Sequence, residues 1–235
     1  MMFYILPNLL DPTLPIDRYF PPHMKEVVCS LTGLVAESEK AARQFLKLFM
    51  DREAFSKVQL WTLNEHSSKE DLVEIVQGIQ KMKHTGMISD CGMPCLADPG
   101  SNLIYALHKK KIPMQVIMGP SAILQALLLS GLSAQSFSFH GYLPREVPDL
   151  KKKLLELEVQ SRFATQLWIE APYRSSKMLD IILETLHPKT LLSVAKNLSL
   201  ASEKICTQSI EEWRSASSFF EGKEPSVFLI SSKKI

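Results

Sequence analysis

Short apolar runs alternate with longer segments whose apolar residues recur every three to four positions. That is the pattern of strands interleaved with amphipathic helices. In the first half it predicts strands over 3–6, 27–31, 57–63, 87–88 and 114–118. A helix over 38–50 carries Ala41, Ala42, Phe45, Leu46 and Phe49 on one stripe. The capping-box pattern Ser67-Ser68-Lys69-Glu70 opens another helix through Leu72, Ile75, Val76 and Ile79. Ser101 is placed to N-cap a third, with Leu103, Ile104 and Leu107 inward, Lys109, Lys110 and Lys111 in its last turn and Pro113 as its stop. A helix over 122–129 follows the turn Gly119-Pro120-Ser121. The second half predicts strands over 136–140, 166–170, 191–195, 204–208 and 226–231, with helices over 148–158, 176–186 and 210–216. Regular alternation implies an α/β fold, its strands mostly parallel in the first half. Strands clustered near the end imply a mixed sheet there. Two domains are expected, 1–118 and 119–235.

Composition narrows the class without changing that picture. A chain of 235 residues with 46% hydrophobic and 22% charged content is long enough for two buried cores. A net charge of +2 gives a weak overall field, so any binding of nucleic acid depends on local basic patches. The N-terminal residues show no basic leader, and the most apolar stretch, 123–132, is far shorter than a membrane span. Cys29, Cys91, Cys95 and Cys206 are scattered and are expected as free thiols in a cytoplasmic protein.

The stretch SDCGMPCLADPGSN, residues 89–102, is where chemistry concentrates. It leaves a predicted strand at its carboxyl end, where open α/β sheets bind ligands. It is about a dozen residues long where two to six are usual. Pro94 and Pro99 stiffen it, and Gly92 and Gly100 permit positive φ or close backbone approach. A rigid turn and a ligand floor both fit. A metal clip fits poorly, because Cys91 and Cys95 do not have the CxxC spacing and no histidine pair lies nearby. The Gly119-Pro120-Ser121 junction offers either an N-cap or free N–H groups for an anion. Walker A, GxGxxG, GxSxG and HExxH patterns are all missing, which counts against P-loop, Rossmann dinucleotide, α/β-hydrolase and zincin chemistry. Glu37, His66, His140, Tyr142, Glu170, Tyr173 and Arg174 fall at predicted strand ends, as the rim of a cleft would require.

Together these segments resemble the tetrapyrrole (corrin/porphyrin) methylase superfamily of S-adenosylmethionine-dependent methyltransferases, closest to its small-subunit ribosomal RNA methyltransferase branch. The resemblance rests on Ser89-Asp90-Cys91-Gly92-Met93-Pro94-Cys95-Leu96-Ala97-Asp98-Pro99-Gly100, similar to the family's SDAGTPLISDPG loop, and on Gly119-Pro120-Ser121. Phe137 to Pro144 resembles a GFLP-ending segment, Glu170-Ala171-Pro172-Tyr173-Arg174 an ESPHR segment, Ala36-Glu37-Ser38-Glu39-Lys40 an AEDTR segment and His66-Ser67 an HN pair. It implies two α/β domains with a cofactor cleft between them, a homodimer, and S-adenosyl-L-methionine held by Asp90, Gly92, Met93, Leu96, Ala97, Ser121, Ala122, Glu170 and Ala195. Lys40, Arg43, Tyr173 and Arg174 would meet substrate, with Arg145 a further phosphate partner. The family's glycine-bearing first loop is replaced here by Pro7-Asn8-Leu9-Leu10-Asp11-Pro12-Thr13-Leu14-Pro15, which has no glycine.

Methyl transfer from a sulfonium is an in-line displacement that needs alignment and water exclusion and no metal. A ribose 2′-hydroxyl acceptor would also need a base, for which Glu37, His66 and His140 are the candidates. The leading expectation is methylation of small-subunit ribosomal RNA. A small-molecule acceptor such as a tetrapyrrole, and a member that binds cofactor or RNA without turnover, are the alternatives.

Overall fold

Alternation along the first strand builds a sheet covered on both faces. Phe3 and Ile5 point into one apolar cluster, Tyr4 and Leu6 into the other. The structure, a computed structural model, describes residues 1–96, 100–215 and 218–232. Ala97, from the expected cofactor loop, and Ala216, from the last expected helix, lie outside the described residues. The chain divides into two units, Met1–Ser121 and Ala122–Ile235.

The first unit runs β1 (Met2–Ile5), α1 (Ile16–Tyr19), α2 (Met24–Cys29), β2 (Gly33–Ala36), α3 (Glu39–Leu46), α4 (Arg52–Ser56), β3 (Gln59–Thr62), α5 (Lys69–Gln80), β4 (His84–Met87), α6 (Ser101–Lys109) and β5 (Met114–Val116). Its five strands lie in the order β3-β2-β4-β1-β5, and every pairing is parallel. A parallel sheet of this kind is stable when helices cover both faces. One cluster packs Leu6, Leu34, Phe45 and Val28; the other packs Phe3, Val35, Ile79 and Leu107.

Three expectations about local structure are corrected. Residues 27–31, read as a strand, lie mostly in α2. A short apolar run does not distinguish strand from helix, and here Met24 and Val28, four apart, are buried on one helical face. The second strand is Gly33–Ala36, buried throughout. The capping box is formed by Ser68 and Asp71, one residue later than the pattern suggested, and Gly100 rather than Ser101 is the cap of α6.

The second unit runs α7 (Ala122–Leu129), β6 (Phe137–Tyr142), α8 (Val147–Gln160), β7 (Thr165–Glu170), α9 (Ser175–Thr185), β8 (Leu191–Lys196), β9 (Lys204–Ser209), α10 (Ile210–Ser215) and β10 (Ser226–Ser231). Its sheet, β6-β7-β10-β8-β9, is mixed: β6 and β7 are parallel and the remaining pairings antiparallel. Trp168 of β7 stacks on Phe228 of β10 with centroids 5.9 Å apart, at the centre of a core shared with α8, α9 and α10. Residues of α7 pack on the opposite face against Leu167, Val227 and Leu229.

Candidate functional site

In the first sheet β1 and β4 are neighbours, but the chain leaves them in opposite directions. From β1 it crosses beyond β4 to β2, and from β4 it crosses beyond β1 to β5. Such a reversal opens a crevice at the carboxyl ends of the two strands. The loops that follow β1 and β4 meet there, and Asn8 ties them together. Its side-chain amide donates to the carbonyls of Ser89 (3.0 Å) and Asp90 (3.1 Å), and its Oδ1 accepts the Leu9 N–H at 2.9 Å. Its own N–H donates to the Gly92 carbonyl at 2.7 Å. Gly92 sits at φ +71° and Cys95 at +67°, left-handed geometry that turns the loop back on itself.

Glu37, just past β2, holds the same loop from the other side. Its Oε1 accepts the Asp90 N–H at 2.9 Å. Burial is the largest influence on this carboxyl and raises its pKa; nearby Asp90 and Glu65 push the same way, against the hydrogen bond from Asp90. Met93 is buried, and its peptide groups make no hydrogen bond among the described residues. A ligand lying against Met93 would therefore find a peptide donor and acceptor unspent among the described residues. At the end of β5 the chain passes so near β1 that a Cβ on Gly119 would fall 2.2 Å from Cβ of Pro7. Only glycine fits there, and Ser121 follows it, buried.

Beside the pinned loop lies a cavity of about 510 Å³, lined among others by Asn8, Leu10, Lys40, Gln44, Phe45 and Asp90. Lys40 thus belongs with the loop. Arg43 makes an exposed pair with Glu39 at 3.1 Å. His66 stands apart, its side chain 85% exposed and 3.5 Å from Glu65. Cys91 Sγ donates to the Leu10 carbonyl at 3.5 Å, and all four cysteines are free thiols. Among the described residues no group of three metal-binding side chains comes together, and no helix is long and apolar enough to cross a membrane.

The second unit gathers polar groups at one end of its three central strands, where Glu170 and Lys196 flank Ser226 in register. Glu170 is buried, its Oε1 accepting the Ala171 N–H at 2.7 Å. Arg174 lies 3.2 Å from Oε2, close enough for an ion pair yet not aligned as a hydrogen bond, and also donates to the Pro144 carbonyl at 3.2 Å. Burial raises the Glu170 pKa, against the Ala171 hydrogen bond and the Arg174 and Arg145 cations. Arg145, Tyr173, Arg174 and Lys177 line a cavity of about 320 Å³. His140 Nε2 and Gln166 Oε1 are 2.7 Å apart. Ala122 opens α7, and Ala195 is fully buried in β8.

Sequence reasoning missed Asn8, Lys177 and the ion pair of Lys196 with Glu224. Lys196 Nζ is 3.0 Å from Glu224 Oε2, donates to the Phe219 carbonyl at 2.8 Å and lies 5.1 Å from the Phe219 ring. A lysine ending the apolar run Leu191 to Ala195 was the available signal for it.

Comparison with known proteins gives a consistent set of likenesses. The sequence profile of the tetrapyrrole (corrin/porphyrin) methylases matches residues 26–213. Ribosomal RNA small subunit methyltransferase I of Thermotoga maritima is 30% identical over 72% of this chain and 73% of that protein. The protein of the same name from Vibrio cholerae is 30% identical over 62% of this chain and 50% of its own length. That of Halalkalibacterium halodurans is 29% identical over 66% and 52%. The match therefore spans about three quarters of the first relative and half of the other two. Among solved structures, the methyltransferase CobJ superposes with a TM-score of 0.62 at 15% identity over 100% of this chain and 96% of that one. Uroporphyrin III C-methyltransferase of Thermus thermophilus gives 0.55 at 12% identity over 98% and 97%. At such identities the superpositions speak for the fold alone.

Proposed function

We propose that this chain, which belongs to the tetrapyrrole (corrin/porphyrin) methylase family of S-adenosylmethionine-dependent methyltransferases, methylates a ribose 2′-hydroxyl of small-subunit ribosomal RNA. The observation that carries the reading is the loop over 89–96, pinned by Asn8 and Glu37 at the reversal of strand order, with the peptide groups of Met93 unpaired among the described residues. The names of the relatives supply the acceptor class.

S-adenosylmethionine, when bound, supplies a methyl group on a positively charged sulfur. The residues present fit it: Asp90, Gly92, Met93 and Leu96 offer a shaped backbone, and Ser121 and Ala122 a turn into a helix. Glu170 and Ala195 belong to this reading as support, the first through its hydrogen bond to the Ala171 N–H and the second as packing at the end of β8. Glu37 is the base the geometry favours. One oxygen is fixed on Asp90, the other is left to take the hydroxyl proton, and a raised pKa makes it a better acceptor than an ordinary carboxylate. The His66 ring is exposed beside Glu65, and His140 is engaged with Gln166. Lys40 and Arg43 in the first unit, and Tyr173 and Arg174 in the second, are the proposed RNA contacts. A homodimer in the cytoplasm completes the reading; the outer face of α7, with Leu128 76% exposed and Leu124 and Leu129 beside it, is its proposed interface.

The test is a thermal melt with S-adenosylhomocysteine followed by methyl transfer to isolated small ribosomal subunits. At a hundredfold excess over Kd the ligand should add about 2.7 kcal/mol of stability. Glu37→Gln should keep that shift, because the amide oxygen still accepts from Asp90, and should lower kcat by about 10²–10⁴. A melt that does not move, or subunits that gain no methyl group, would overturn the proposal.

A further inference from the structure

The cavity between α8 and α9 is built differently from the crevice in the first unit. Arg145, Arg174 and Lys177 bring three cations to a space of about 320 Å³, floored by Leu150, Met178 and Ile181. One carboxylate, Glu170, lies close by, and it is engaged with Arg174 and the Ala171 N–H. Neither Arg145 nor Lys177 has an ion pair or a side-chain hydrogen bond among the described residues. The first turn of α9 contains no acidic residue, while α8 has Glu146 as its N-cap and Asp149 in its first turn, neither of them among the residues that line the cavity. Three cations beside one carboxylate leave a surplus of positive charge over an apolar floor, which attracts an anion small enough to enter. At the rim, Tyr173 is 65% exposed and presents an aromatic face.

We infer that this cavity seats one phosphate of a single-stranded RNA segment, with Tyr173 stacking the adjoining base. The inference rests on the reading above that RNA is the substrate, and it names where the second unit holds the strand. A phosphate between Arg145 and Lys177 fixes register without reading sequence, and a stacked base tolerates any nucleobase. A compact carboxylated small molecule without an aromatic plane would also satisfy the cations, but would leave the exposed ring idle.

Fluorescence anisotropy of a labelled single-stranded RNA oligonucleotide, titrated across salt concentrations, tests this alongside methyl transfer to small subunits. Lys177→Gln and Arg145→Gln should each weaken binding and reduce the slope of log K against log salt by about 0.7. Tyr173→Ala should weaken binding with the slope unchanged, since stacking releases no counterions. Lys57→Gln, removing an exposed cation in the first unit, should leave the slope alone. Each variant should keep its S-adenosylhomocysteine melt, showing that the fold is intact. If the wild-type protein methylates subunits and the Lys177 and Arg145 variants keep its full slope, the phosphate seat is wrong and the enzyme reading stands. If the wild-type protein neither binds the oligonucleotide nor methylates subunits, both fall. Displacement by a polycarboxylated porphyrin in place of RNA would assign the cavity to a small-molecule acceptor instead.

Discussion

The two units bury polar groups to very different extents. In the first, the buried polar residues among those described are Thr85, Ser89 and Ser121, and the loops of the site are held by hydrogen bonds between peptide groups and the side chains of Asn8 and Glu37. In the second, Glu170, Lys196, Gln166 and Asn197 are buried together with several serines and threonines. One unit keeps an apolar core and positions a backbone; the other takes charge into its interior at the ends of its central strands. A backbone surface suits a ligand recognised along its length, whereas buried charges hold neighbouring loops in fixed places.

The largest break in that comparison should come from Glu224→Ala. It leaves Lys196 almost wholly buried without its counter-charge and frees Asn197, whose amide donates to Glu224 Oε1 at 3.0 Å. Urea unfolding should show a loss of about 3–5 kcal/mol. A loss below about 1 kcal/mol would mean that the buried charge does not support the second unit. Burial works against the Glu224 carboxylate, but hydrogen bonds and the Lys196 charge outweigh it and lower its pKa. The pair's contribution is therefore complete above the ordinary carboxylate range and disappears as pH falls through the lowered value.

Asn8→Ala comes next. It deletes the two amide donations to the loop after β4, at about 1 kcal/mol each. Its global stability should fall modestly, while the S-adenosylhomocysteine shift shrinks by more than the stability does. An unchanged ligand shift would separate the clamp from the site. The smallest effect is expected of Glu170→Gln. Because burial raises the Glu170 pKa, its stabilising contribution is complete below the unfolded value and is lost as pH rises through the folded one. Melting temperatures of wild type and variant across that window should diverge in slope and not in fold; parallel curves would show Glu170 to be electrostatically silent.

Much of this was legible in the chain. The period-two and helical patterns placed most elements, and the long proline-stiffened loop marked the crevice. What stayed hidden depended on contacts distant in sequence. Gly33, at the start of a buried strand, is held to glycine by Trp61, whose ring a Cβ there would meet at 2.5 Å, which nothing next to it announces. Val27 and Val28 favour strands by composition, yet Met24 and Val28 fasten them to the core as a helix. Asn8 looked like part of a degraded loop because its partners lie 81 and 82 residues away.

That clamp has a consequence for how the chain can vary. Asn8 grips carbonyl oxygens, which every residue carries, at positions 89 and 90. Ser89 and Cys91 add ties of their own, Ser89 Oγ donating to the Cys91 carbonyl at 3.1 Å and Cys91 Sγ to the Leu10 carbonyl. Position 90 is gripped through its peptide groups, by Asn8 and Glu37, so the crevice has room to drift there while its two neighbours stay bound to the shape of the loop.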